Sequence, residues 1–200
     1  MEAAQYEREL IALDLRSALS DAALTQDAFA RLLGTSRTRL SAYLNGKTMP
    51  GAAFHQRALR TAAALNSARA HGWMTPNQTA ELVNDALNDG DESWAFKLII
   101  QARDHLCEML DAQDPASDAW LLSSIRINDD RYATLLAALI EHEFDARGCS
   151  RRPEWADAPH LVDPWTQPNL RRGAEWTRAH TPPWLAERGI FISDQDLMTA

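Results

Sequence analysis

Apolar positions recur at helical spacing along most of the chain and divide it into a series of predicted helices. Tyr6, Leu10 and Leu13, together with Ile11, Leu15, Ala18 and Leu19, predict a first helix over about residues 5–21. Leu24-Thr25-Gln26-Asp27 opens a second. The Thr25 hydroxyl suits an N-cap, and Asp27 suits a first turn whose unpaired N–H groups favour negative charge. Phe29, Ala30 and Leu33 form its inward stripe, and Gly34 ends it where the chain must turn through positive φ. Ser36 is the expected cap of a third helix, Arg37 to Asn45, with Leu40, Tyr43 and Leu44 inward and Gly46 as its stop. Pro50-Gly51 leads into a fourth, about 52–65, with Phe54, Ala58, Leu59 and Ala62 on one face.

Residues 70–76, Ala-His-Gly-Trp-Met-Thr-Pro, read as a domain boundary, with Thr75-Pro76 a cap followed by Pro at the first helical position. Helices are predicted over about 76–88 and 92–111. The second of these carries the stripe Trp94, Leu98, Ile99, Ala102, Leu106, Met109 and Leu110. Residues 112–128 have no decisive pattern. Asp129-Asp130 start a helix to about Ala146 with Tyr132, Leu135, Leu136, Leu139, Ile140 and Phe144 on its core face. From Arg151 the texture becomes irregular. Trp155, Trp165, Trp176 and Trp184 alternate with prolines, a composition too aromatic for disorder. A short helix at about 183–187 and a short strand at Ile190-Phe191-Ile192 close the pattern, and no internal repeat is present. The expected fold is mainly α: an N-terminal domain of four to five helices, 1–70, and a mostly helical C-terminal domain, 71–200, with an irregular Trp/Pro-rich tail.

Charge sharpens this division. The formal net charge is −8, which argues against nucleic acid until its distribution is considered. Residues 1–70 hold nine basic and six acidic side chains, whereas 71–200 hold eleven and twenty-two. No Asp or Glu occurs between Asp27 and Glu81, a stretch that carries Arg31, Arg37, Arg39, Lys47, Arg57, Arg60 and Arg69. Screening over about 8 Å makes the local field, not the total, decide whether phosphate is attracted.

The segment from Leu24 to Lys47, with small Ala30 where helices cross, turn Gly34, capping Ser36, buried Leu40 and Asn45-Gly46-Lys47 after the third helix, resembles the helix-turn-helix of Cro- and cI-type phage repressors. The resemblance covers about residues 5–65. It implies binding to double-stranded operator DNA. The third helix presents Ser36, Arg37, Thr38, Ser41 and Ala42 to base edges: Arg suits guanine, and Thr or Ala suits a thymine methyl. Thr25, Gln26, Arg39, Asn45 and Lys47 are the expected phosphate contacts. Leu44 departs from the family, which more often has a polar residue there, and is a candidate dimer contact. Arg57, Arg60 and Arg69 are expected to be solvated surface.

Enzyme chemistry finds little footing. Glu141-His142-Glu143 begins like a zinc-protease motif, but Ala146 stands where the second His is due. There is no Gly-rich phosphate loop and no GxSxG, and Cys107 and Cys149 are far apart. Without an apolar run of eighteen residues or a leader-like N-terminus, a cytoplasmic protein with no membrane partner, no metal and no cofactor is expected. Trp155, Trp165, Trp176 and Trp184 either plug gaps along the helices or form a protein-binding surface. Residues 92–200, with Pro153-Glu154-Trp155, Asp163-Pro164-Trp165 and Pro182-Pro183-Trp184 through Ile192, loosely resemble the C-terminal region of helix-turn-helix proteins encoded beside nucleotidyltransferase-type toxins. That resemblance implies an antitoxin-like regulator. The expectation is therefore a non-enzymatic, homodimeric transcriptional repressor that the second resemblance makes the antitoxin of a toxin–antitoxin pair. Its rival is a regulator whose C-terminal domain senses a small ligand.

Overall fold

The computed structural model describes residues 2–122, 125–157, 160–168 and 172–198, with side chains from residue 5. Its elements are almost all helical, and the chain separates into two compact units, Met1–Gly72 with Gln113–Ser123, and Trp73–Ala112 with Ser124–Ala200. The first unit thus includes a segment that lies well inside the 71–200 stretch.

The first unit is built on α1 (Glu2–Ala22), α2 (Gln26–Leu32), α3 (Arg37–Leu44) and α4 (Ala52–His71), the last running six residues beyond its predicted end. α1 and α4 pack along faces rich in alanine: Ala12, Leu15, Ala18 and Ala22 against Ala58, Ala62 and Ala68. Small side chains let two long helices approach closely. This overturns half of the predicted α1 stripe. Tyr6, Leu10 and Leu13 are 63%, 43% and 56% exposed. α1 carries two apolar faces, and the one containing small residues is the one buried. The core then closes around Phe29, Ala30 and Leu33 of α2 and Leu40, Tyr43 and Leu44 of α3.

The unassigned region after residue 111 contains a 3-10 turn, Pro115–Ser117, and α7 (Asp118–Leu122), which pack on α4. Asp114 caps the turn by accepting from Ala116 N–H at 2.8 Å and receives the Ser67 hydroxyl at 2.6 Å. Trp120 is fully buried. Arg60 grips Asp118 through two parallel bonds, 3.0 and 2.7 Å.

The second unit holds α5 (Pro76–Asn88), α6 (Glu92–Asp111) and α8 (Asp130–Ala146), with α6 packed against both others. α8 is buried almost all round: Tyr132 and every residue from Thr134 to Ile140 lie inside. Such a helix needs cover on its remaining face, and part of that cover is the C-terminal segment. There a two-residue strand β1 (Trp165–Thr166) pairs in parallel with β2 (Ile190–Phe191), in the register Trp165–Ile190. The Trp165 N–H donates to Gly189 O at 2.8 Å. Gly189 sits at φ 76°, a left-handed conformation that selects glycine, while a Cβ there would make only ordinary contact with Leu161 at 3.4 Å. Three short helices, α9 (Ala174–Ala179), α10 (Pro183–Ala186) and α11 (Asp194–Leu197), complete the segment. Trp94, placed in the α6 core stripe on sequence, is instead 49% exposed, because α6 turns Ala95, Leu98 and Ile99 inward.

Asp129 ties α8 to α6. Its carboxylate accepts the Arg131 backbone N–H at 2.9 Å and the Arg131 guanidinium at 2.7 Å, and the same guanidinium reaches Glu92 at 2.9 Å. The hydrogen bond from the Arg131 side chain is the main reason the Asp129 carboxyl is held below its ordinary value of 3.8, against the opposing pull of burial. A depressed carboxyl stabilises the fold above its unfolded-state pKa, and that stability is lost as pH falls through its folded value. Asp129→Asn should therefore unfold at lower temperature than wild type near neutral pH. The difference should shrink as pH is lowered below about 4, as read by circular-dichroism melts across pH.

Candidate nucleic-acid interface

α2 and α3 meet through a tight turn. Gly34 takes φ 67°, and the Thr35 N–H closes the end of α2 on the Ala30 carbonyl at 2.9 Å. Nothing would touch a Cβ at Gly34, so the demand there is conformational rather than steric. Thr25 accepts the Ala28 N–H at 3.2 Å, and Ser36 accepts the Arg39 N–H at 3.2 Å. Both predicted caps are therefore made, each satisfying an N–H that its helix leaves unpaired.

The caps and the buried Leu40, Tyr43 and Leu44 fix the rotation of α3. Arg37, Thr38 and the capping Ser36 are exposed at its start, and Ser41 and Ala42 are half-buried one turn on. Arg37, Ser41 and Asn45 follow one another at helical i, i+4 spacing, as do Thr38 and Ala42, so these residues share one face. Around them Thr25, Arg39, Asn45 and Lys47 are exposed and Gln26 is half-buried. α3 itself contains no acidic side chain.

Two features of this face have no signal in the spacing of apolar residues. Asn45 Nδ2 donates to the Ser41 carbonyl at 2.8 Å and to its hydroxyl at 3.3 Å, so a predicted phosphate contact and a predicted base contact are clasped together. Arg39 Nε donates to the Tyr43 hydroxyl at 2.8 Å, which steers the guanidinium along the edge of α3. Leu44 is only 7% exposed and lies in the unit's own core, and its carbonyl accepts from Arg16 at 2.5 Å. The apolar side chain there fills an intramolecular gap, so Leu44 does not offer the dimer contact expected of it.

In the second unit the four C-terminal tryptophans differ. Trp165 is buried at 8% exposure against Tyr132, with ring centroids 5.2 Å apart and the Arg131 guanidinium 5.5 Å from each ring. Trp184 is half-buried and stacks on His142 at 4.1 Å with planes 5° apart. Trp176 is half-buried between His180, at 3.9 Å, and Arg172, at 3.8 Å. Trp155 is half-buried beside a cleft of about 620 Å³ that is also lined by Ile127, Thr134, Leu161 and Trp165. His142 of the protease-like triplet is thus occupied by an indole, and among the described residues no three His, Cys, Asp or Glu side chains are grouped to hold a metal ion. Cys107 is half-buried on α6, and its thiol is pushed up to about 12, first by burial and then by the neighbouring Glu143. No helix among the described residues is long and apolar enough to cross a membrane.

Residues 14–86 match the family model of a helix-turn-helix domain. The match spans α2, α3 and α4 with the C-terminal part of α1 and nearly all of α5, which is less than half of the chain. The protein is mainly α with an N-terminal helix-turn-helix domain. No curated protein and no solved structure matches the chain.

Proposed function

We propose that the chain is a sequence-specific DNA-binding transcriptional regulator, a repressor that reads operator DNA through α3. The observation that carries this reading is the capped α3, with Arg37 and Thr38 exposed at its first turn above a fully packed inner face, in a stretch without carboxylates. A short helix held this way suits a major groove, where Arg37 pairs with a guanine edge and Thr38 and Ala42 meet thymine methyls. Lys47 and Arg39 lie beside it for phosphates. One such helix reads only a short half-site, so the chain acts as a homodimer on half-sites about one helical turn apart. The role is binding rather than catalysis, and no cofactor takes part.

The acidic C-terminal region supports a second role, binding a protein partner, and the loose resemblance of residues 92–200 makes that partner a nucleotidyltransferase-type toxin. An acidic surface speeds encounter with a basic, nucleic-acid-handling enzyme. The half-exposed Trp176 and Trp184 are better placed for such contact than the buried Trp165. The rival reading, a small-ligand sensor, draws on the cleft beside Trp155, whose volume lies in the range of small-molecule sites.

Arg37→Ala should cost about 1–3 kcal/mol and relax preference at one base pair. Lys47→Ala should weaken binding to all sequences alike and lower the salt slope by about one. Titrations of labelled operator and scrambled duplexes check both, and equal affinity of wild type for the two duplexes at every salt concentration would sink the reading. For the partner role, Trp165→Ala should destabilise the second unit by about 3–5 kcal/mol. Trp176→Ala and Trp184→Ala should keep the melting temperature within a few degrees yet weaken capture of a co-expressed, co-encoded toxin. Thermal stabilisation by a metabolite together with failure to capture that protein would favour the ligand sensor.

A further inference from the structure

Three arginines lie on α4, and the structure separates them. Arg60 spends its guanidinium on the Asp118 carboxylate. Arg69 donates to the Asp21 carbonyl at 3.0 Å and to Asn66 Oδ1 at 2.7 Å. Arg57 is exposed, and among the described residues no carboxylate or carbonyl holds it. Its guanidinium carbon lies 5.8 Å from the centroid of the Phe54 ring. Phe54 packs on Tyr43, centroids 5.1 Å apart at 54°, and Tyr43 takes the Arg39 hydrogen bond at its hydroxyl. The Arg39 guanidinium itself lies 6.0 Å from the Tyr43 ring. Two exposed guanidinium groups therefore flank an aromatic pair that joins α3 to α4.

We propose that Arg57 is a phosphate-contacting residue, which carries the DNA footprint from α3 across onto α4. This rests on the DNA-binding reading of α3. An arginine resting against an aromatic ring keeps its N–H edge available to an anion, and the ring limits the rotamers that must be frozen on binding. The electrostatics agree. Residues 28–80 contain no carboxylate, and of the acids that the fold brings to α4, Asp118 is paired with Arg60 at 2.7 Å and Asp14 is engaged by His55 Nε2 at 3.2 Å. His55 and Arg57 are two positions apart and project about 200° from one another around the helix. Arg57 thus points away from Asp14, while Phe54, about 60° from Arg57, provides the ring. Arg60 and Arg69, of the same residue type on the same helix, are bound internally and take no part.

The test uses the full chain and a fluorescein-labelled mixed-sequence duplex, titrated by anisotropy between about 50 and 200 mM salt. Arg57→Ala should reduce the slope of log affinity against log salt by about 0.9, which amounts to roughly five-fold weaker binding at 0.15 M salt. Arg57→Lys, which keeps the charge, should retain the slope. Arg60→Ala should lower the melting temperature and leave the slope unchanged. A wild-type slope in a folded Arg57→Ala variant overturns the proposal while leaving the DNA-binding reading intact. Absence of duplex binding by the wild type at the lowest salt removes both.

Discussion

The inner face of α3 has to be buried, and the character of its outer face follows from that. Leu40, Tyr43 and Leu44 occupy three of its eight positions and all lie inside the first unit. Removing a leucine side chain from water is worth about 1.5–3 kcal/mol, so rotation of the helix about its axis would expose more than any surface contact returns. With rotation fixed by packing and the start fixed by the Ser36 cap, Arg37 and Thr38 are left pointing outward. The Ala-rich contact of α1 with α4 holds the platform on which α3 is packed.

The second unit meets the same constraint differently. α8 is apolar on nearly every side, so it cannot sit at a surface, and the irregular C-terminal segment supplies cover through β1, β2 and buried Trp165. The acidic surplus of this half of the sequence contrasts with the carboxylate-free stretch from residue 28 to residue 80. One chain therefore carries two stretches of opposite charge balance, and the carboxylate-free one falls within the segment that matches a helix-turn-helix domain.

Much of the first unit was legible in the sequence because its determinants are local. Thr25 and Ser36 cap the residues immediately after them, and Gly34 answers to a backbone angle at its own position. What escaped depends on residues far apart. Trp120 and the turn at Asp114 have no periodicity of their own and take their places from α4, about fifty residues earlier. The exposure of Tyr6, Leu10 and Leu13 was hidden because α1 has two apolar faces and spacing alone does not choose between them. Helical spacing placed Leu44 inward and the core bears that out, whereas the departure from the family pattern suggested an outer contact that the packed core excludes. The division of labour among Arg57, Arg60 and Arg69 is likewise invisible in sequence, since it turns on Asp118 and Phe54. In the C-terminal segment, Ile190-Phe191 had strand character, but its partner at Trp165-Thr166 is two residues long and too brief to leave a pattern.

The most direct test of the central claim, that α3 makes this chain a sequence-specific DNA reader, is selection of duplexes from a random pool by the full-length protein at physiological salt. The account predicts enrichment of one motif, arranged as two half-sites with dyad symmetry, and loss of a guanine from each half-site's consensus when the selection is repeated with Arg37→Ala. Recovery of an unenriched pool by the folded wild-type protein, or an identical motif from the Arg37→Ala variant, would contradict it.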